Sequence, residues 1–295
     1  MIKIQIDDTS GFCSGVIRAV SIAEDALEQS DKLYCLGNIV HNPVELARLA
    51  ELGMEIIDYE QYRKLKNTTV LIRAHGEPPH VFATAKENNI RLLNTTCPIV
   101  IRVQDKVKAA LEKIESGRGS IIIYGRKEHP EVIAMVGITG GKAIVVRNLD
   151  ELKEVSFKMP VYLFAQTTRN RDKYVELAEE IKRRIIHQGG DPETMLHFHR
   201  TICGEVANRL PDIERFAQQY DLILFVSGKE SSNGRMLYNA CKNINPNTWF
   251  ITEIEDMDPV PVAEAESIGI SGATSTPPWF LEKVRDTAIG IIEKN

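Results

Sequence analysis

An α/β fold on parallel sheets follows from three features of the 295-residue chain. Short runs rich in Ile, Val, Leu and Tyr recur along it, each the length of a buried strand. Segments with helical periodicity lie between them, and the two types alternate along the chain, which is the pattern of a parallel sheet flanked by helices.

Taken in order, the strand-like runs are IKIQI (2–6), KLYCL (32–36), TVLIRA (69–74), SIIIYG (120–125), AIVVR (143–147), VYLFAQ (161–166), DLILFVSG (221–228), TWFIT (248–252) and SIGISGA (267–273). Helical spacing predicts helices over 16–29, 100–115, 172–187 and 205–220. No low-complexity stretch and no Pro, Gly or Ser linker marks a domain boundary. The recurring unit is instead a joint, in which an apolar strand runs into a short turn and then into a helix.

Composition narrows the class. The chain is 43% hydrophobic and 26% charged with a formal net charge of -5, ordinary for a globular protein and without the basic footprint of a nucleic-acid binder. MIKIQIDDTS has no basic region followed by an apolar one, and no run reaches membrane-spanning length. A cytoplasmic location with no membrane partner is expected. Five cysteines, an odd number for a reducing compartment, argue against a disulfide framework and for metal binding or catalysis by some of them.

Cys35 in KLYCLG and Cys241 in RMLYNACKNI sit among core-type residues and read as small buried hydrophobes. Cys13 in GFCSGV, Cys97 in TTCPIV and Cys203 in TICGEV each stand at a strand-to-helix joint. A thiol there either packs a tight turn or serves as a thiolate ligand, which the helix start favours. The steps from Cys13 to Cys97 and from Cys97 to Cys203 are 84 and 106 residues. These domain-sized intervals suggest α/β units at 1–96, 97–202 and 203–295, each giving one cysteine to a shared centre. With no C-x-x-C pair, a zinc ribbon, a thioredoxin motif and a ferredoxin run are disfavoured. Three thiolates on a four-iron cluster leave one iron open to a ligand.

Of the seven histidines, His41 in NIVHNP, His75 in RAHG and His129 in HPEV follow apolar runs and precede turns, at the carboxyl edge of a sheet where α/β folds place ligands. His80, His187, His197 and His199 lack that placement. SGKESSN (227–233) leads from a strand into a helix and offers N–H groups and hydroxyls, including Ser231, Ser232 and Asn233, to a phosphate. It is not a Walker loop, because GKE replaces GK[ST]. GATSTP (272–277) repeats the arrangement with Ser275. Glu131, two residues past His129, and Thr167, after VYLFAQ, are candidates for moving a proton, although both residue types are also common at helix starts.

GFCSGV, NIVHNP, RAHG, TTCP, HPEV, QTT, SGKESSN and GATSTP occur in that order over nearly the whole chain, and together they resemble the LytB/IspH family. The resemblance implies three similar α/β domains in pseudo-threefold arrangement around a central [4Fe-4S] cluster, with Cys13, Cys97 and Cys203 as its ligands. It implies that His41, His75, His129, Ser231, Ser232, Asn233 and Ser275 bind a diphosphate, that Glu131 is the proton source, and that Thr167 orients it. The implied reaction is reductive dehydroxylation of (E)-4-hydroxy-3-methylbut-2-enyl diphosphate to isopentenyl and dimethylallyl diphosphate, the last step of the methylerythritol phosphate route to isoprenoids. Electrons would come from an external carrier such as ferredoxin or flavodoxin, since no GxGxxG turn suggests a built-in nicotinamide or flavin site. One segment departs from the family pattern: CGEVANRLP keeps Asn208 and Arg209 but lacks the threonines that many members carry after the third cysteine, which bears on the surroundings of the cluster rather than on its ligands.

Two other classes fit parts of the pattern. A non-enzymatic iron–sulfur sensor would need neither the histidines nor the Ser-rich loops. A metal-free phosphosugar-binding protein would make the cysteines structural.

Overall fold

The computed structural model describes residues 2–116 and 119–294. In chain order the elements are β1 (Lys3–Ile6), α1 (Ser14–Glu28), β2 (Leu33–Leu36), α2 (Pro43–Glu51), β3 (Met54–Ile57), α3 (Tyr59–Lys64), β4 (Thr69–Ile72), α4 (Pro79–Glu87), β5 (Arg91–Asn94), α5 (Pro98–Ser116), β6 (Ser120–Tyr124) and α6 (Pro130–Ile138). There follow β7 (Ile144–Val146), β8 (Val161–Ala165), α7 (Arg171–His187), α8 (Pro192–Met195), β9 (Leu196–Phe198), α9 (Gly204–Ala217), β10 (Leu222–Val226), α10 (Ser232–Ile244), β11 (Thr248–Ile251), α11 (Pro259–Glu264), β12 (Ser267–Gly272) and α12 (Pro278–Ile292).

The strands form three four-stranded sheets, in the orders β1-β12-β10-β11, β3-β2-β4-β5 and β7-β6-β8-β9. Every strand pair with a defined register is parallel. The α/β class expected from the alternation is therefore the one observed, and each of the nine expected strands forms. Three more were not expected: β3, β5 and β9. All lie at sheet edges, where the burial that makes a central strand uniformly apolar is incomplete.

By its contacts the chain divides into two compact units, Met1–Asp58 with Gly204–Asn295, and Tyr59–Cys203. In the second unit, side-chain alternation along β6 and β8 builds two cores. Ile122, Tyr124, Leu163 and Ala165 pack against Tyr174, Leu177 and Ile181 of α7. Ile121, Ile123, Tyr162 and Phe164 pack against Val103 and Val107 of α5 and Val132 and Met135 of α6. A strand buried on both faces has no polar side to display, which is why SIIIY and VYLFA read as continuous apolar runs.

The first unit repeats the plan. Ile223 and Phe225 face Ile213 and Phe216 of α9 and Leu237 of α10, while Leu222, Leu224 and Val226 face Phe280, Leu281 and Val284 of α12. Helix α9 continues through Pro211, whose ring removes one hydrogen bond of the helix. Among the described residues no helix is long and apolar enough to cross a membrane.

Candidate active site

Cys13, Cys97 and Cys203 stand outside any disulfide and are of intermediate exposure, whereas Cys35 and Cys241 are buried. The three immediately precede α1, α5 and α9, and their backbone N–H groups all do the same thing. Each donates to a carbonyl in a turn that follows a strand: Cys13 to Thr274 at 3.1 Å, Cys97 to Ala74 at 2.9 Å and Cys203 to Thr167 at 2.9 Å. The peptide thus fixes where each thiol begins. Accessible soft donors of this kind match iron–sulfur ligation by chemistry. Cys35 Sγ instead donates to the Gly37 carbonyl at 3.1 Å, and Cys241 Sγ lies 3.5 Å from the Thr248 hydroxyl. Both are core residues, as their neighbours in sequence imply.

In the unit Tyr59–Cys203 the expected residues come together stepwise. Glu131 is 1% exposed; its carboxylate accepts the Thr167 N–H at 2.8 Å and the Thr167 hydroxyl at 2.9 Å. Burial pushes its pKa up to about 7, against the pull of those two hydrogen bonds. The Glu131 N–H donates to His129 Nδ1 at 3.2 Å, so His129 caps α6 with a ring nitrogen. That contact fixes the neutral tautomer carrying its proton on Nε2. The His129 ring stands edge-on to that of His75, with centroids 5.2 Å apart. A carboxyl with a pKa near neutrality, a hydroxyl that can donate or accept, and two imidazoles stand in the segments that follow β4, β6 and β8.

In the other unit the two Ser-rich loops meet. Ser231 caps α10 by accepting the Gly234 N–H at 3.0 Å, and the Ser275 hydroxyl lies 3.3 Å from it. Asn233 Nδ2 donates to the Thr274 hydroxyl at 2.9 Å, while its Oδ1 is buried with no hydrogen-bond partner among the described residues. Rotating the amide turns this around: Oδ1 would accept from Thr274, and the two N–H donors would face an anion. Ser232 is half-buried in the first turn of the same helix. His41 joins this group through its backbone, because a Cβ on Gly228 would stand 2.1 Å from the His41 carbonyl oxygen. Only glycine lets SGKESSN lie this close to NIVHNP.

Sequence reasoning missed two side chains that hold these turns. Glu205, in the departing CGEVANRLP segment, accepts the Ser14 N–H at 3.1 Å and the Ser14 hydroxyl at 2.5 Å, and so caps α1 next to Cys13 from another helix. Arg209 donates to the Gly272 carbonyl at 2.7 Å and steadies the GATSTP loop. Neither partnership has a local signal, since Glu205 and Ser14 are 191 residues apart. Two of the remaining histidines pack on aromatic rings. His197, in edge strand β9, stacks on Tyr162, and His199, just after it, stacks on Phe164, each with centroids 4.4 Å apart.

The model of the family described as "LytB protein" matches residues 4–288. A Bacteroides fragilis protein named 4-hydroxy-3-methylbut-2-enyl diphosphate reductase is 44% identical over 286 residues, covering 97% of both chains. A Chlorobaculum tepidum protein of the same name is 38% identical and covers 96% of this chain and 95% of its own. A solved structure of (E)-4-hydroxy-3-methyl-but-2-enyl diphosphate reductase, described as the terminal enzyme of the non-mevalonate pathway, is 33% identical with a TM-score of 0.71, over 98% of this chain and 99% of its own. The corresponding Plasmodium falciparum reductase, at 23% identity, shares the fold with a TM-score of 0.83 over 97% of this chain and 87% of its own. Matched from near its first strand into its last helix, and by relatives of nearly equal length, the chain belongs to the LytB protein family.

Proposed function

We propose that the chain is a 4-hydroxy-3-methylbut-2-enyl diphosphate reductase, removing the C4 hydroxyl of the (E)-allylic diphosphate to give isopentenyl and dimethylallyl diphosphate. The balance is two electrons and two protons taken up, one C–O bond broken and one water released. The observation that carries this reading is the buried Glu131 carboxyl, held by the N–H and hydroxyl of Thr167, in a chain whose close relatives bear that name.

Cys13, Cys97 and Cys203 would hold a [4Fe-4S] cluster, which when bound supplies single electrons and Lewis acidity toward the substrate hydroxyl. Each thiol would come from its own α/β unit, at 1–96, 97–202 and 203–295. Strand placement supports this division, since the first interval holds all of the second sheet, the next all of the third, and the last three strands of the first, which β1 completes. The two electrons come one at a time from an external carrier of the ferredoxin or flavodoxin type, and the protein works in the cytoplasm.

The chain's own residues bind the diphosphate and deliver a proton. His41, His75 and His129 present ring N–H donors to it, with Ser231, Ser232 and Asn233 adding hydroxyl and amide donors at the start of α10 and Ser275 a hydroxyl from the loop after β12. Near neutral pH about half of Glu131 is protonated, as its pKa of about 7 implies. It then gives its proton toward the departing hydroxyl, and Thr167 switches from acceptor to donor as the carboxyl becomes a carboxylate.

Inorganic diphosphate should compete with substrate, and His41→Ala, His75→Ala and His129→Ala should each weaken that inhibition about ten- to a hundredfold, the worth of a hydrogen bond to a charged group. Iron content should stay near the wild-type level. Unchanged inhibition constants in all three variants would place the diphosphate elsewhere.

A further inference from the structure

Glu77 lies outside the residues given a role above, yet it is among the most enclosed charged groups in the second unit, with its side chain 1% exposed. One carboxylate oxygen accepts Arg73 Nε at 2.9 Å and the other accepts the Tyr59 hydroxyl at 2.5 Å. Arg73 is itself buried. Burial raises the pKa of Glu77, and the Arg73 charge and Tyr59 hydrogen bond act against it. Replacing a buried ion pair by apolar groups of similar volume is often neutral for stability, so such a pair is weak evidence for a stabilising role. What it does supply is fixed geometry.

That geometry has a definite object. Arg73 directly follows β4 and Glu77 comes two residues before α4, so the ion pair clasps both ends of the turn Arg73-Ala74-His75-Gly76-Glu77. The backbone closes the same turn through the Gly76 N–H on the Arg73 carbonyl at 3.1 Å. Gly76 sits at φ +74, where a Cβ would fall 2.4 Å from Gln104 Nε2. Two groups leave this clasped turn in different directions. His75 faces the ring of His129, and the Ala74 carbonyl accepts the Cys97 N–H.

We propose that Glu77 is a positioning residue which, by clasping the 73–77 turn, holds the anion-binding ring of His75 and the peptide of Cys97 in one frame. Its carboxylate bonds to Arg73 and Tyr59, and the ring and the peptide move together when the clasp is lost. This rests on the proposed roles of His75 and Cys97.

The test uses anaerobically prepared, iron-loaded protein and four readouts: melting temperature, the inhibition constant of inorganic diphosphate, KM against kcat, and the EPR spectrum of the reduced cluster. Glu77→Gln keeps the shape but drops the charge that Arg73 requires. Its diphosphate constant and KM should rise about tenfold, with a smaller fall in kcat, and the EPR lines should shift because Cys97 has moved. Arg73→Met/Glu77→Leu replaces the ion pair by apolar groups and should recover the melting temperature without recovering the diphosphate constant or the EPR lines. Tyr59→Phe, which leaves the ion pair, should shift both in the same direction by less, and it decides the matter if the other variants do not fold. A folded variant with a wild-type diphosphate constant and wild-type EPR lines overturns the proposal, whatever its melting temperature. Wild-type protein that ignores diphosphate or binds no iron would instead overturn the parent reading, and this one with it.

Discussion

Glu131→Gln should fold, retain iron and bind diphosphate normally, yet turn over about 10²–10⁴-fold more slowly, the usual contribution of a general acid. Glutamine keeps the size and one acceptor, so the Thr167 N–H at 2.8 Å still finds an oxygen, but no proton can be released at neutral pH. If Glu131 only favoured the start of α6, its loss would cost about 0.3–1 kcal/mol of stability and leave the rate nearly intact. The pH profile separates the two cases further. With a pKa near 7, wild-type kcat/KM should decline as the pH rises through that value, and the variant should lose this limb.

Stability should follow the same group. Because the folded pKa lies above the unfolded one, the protonated carboxyl favours the folded state. That contribution is complete below about pH 4, near the ordinary glutamate value, and is lost as the pH rises through about 7. Wild type should therefore lose stability relative to Glu131→Gln between pH 5 and 8, by about 3 kcal/mol at most. Thermal melts of both proteins across that range, without substrate, measure it.

Cys13→Ser, Cys97→Ser and Cys203→Ser should each lose most of their iron and nearly all turnover, while Cys35→Ser and Cys241→Ser retain both. The contrast follows from exposure and partners. The first three thiols are half-exposed at helix starts, and the other two are enclosed in the core. A hard hydroxyl replaces a soft thiolate poorly on iron, whereas serine at Cys241 finds the Thr248 hydroxyl already within reach. Iron and sulfide per chain decide it, and full iron in any of the first three variants removes that cysteine from the ligand set.

The joints were legible because they rest on local chemistry. A run such as SIIIY or VYLFA, buried on both faces, has to be apolar throughout, and the turn after it has to carry its own polar groups. Edge strands are held to neither rule. RLLN and MEII each expose at least one charged or polar side chain, and LHF is only three residues long, so none stands out from a loop. The pairing of Glu131 with Thr167, 36 residues apart, was suggested only by resemblance, since each residue alone suits a helix start. Glu77 and Glu205 were invisible as functional residues. In sequence each is an ordinary glutamate beside a turn, and only folding supplies Arg73, Tyr59 or Ser14 as its partner.

The most direct test is anaerobic purification of the full chain, followed by turnover of (E)-4-hydroxy-3-methylbut-2-enyl diphosphate with an artificial one-electron reductant. The proposed function predicts brown protein holding about four iron and four sulfide per chain, and reductant-dependent formation of isopentenyl and dimethylallyl diphosphate that inorganic diphosphate inhibits. Colourless protein without iron, or iron-loaded protein that leaves the allylic diphosphate unchanged, would contradict it.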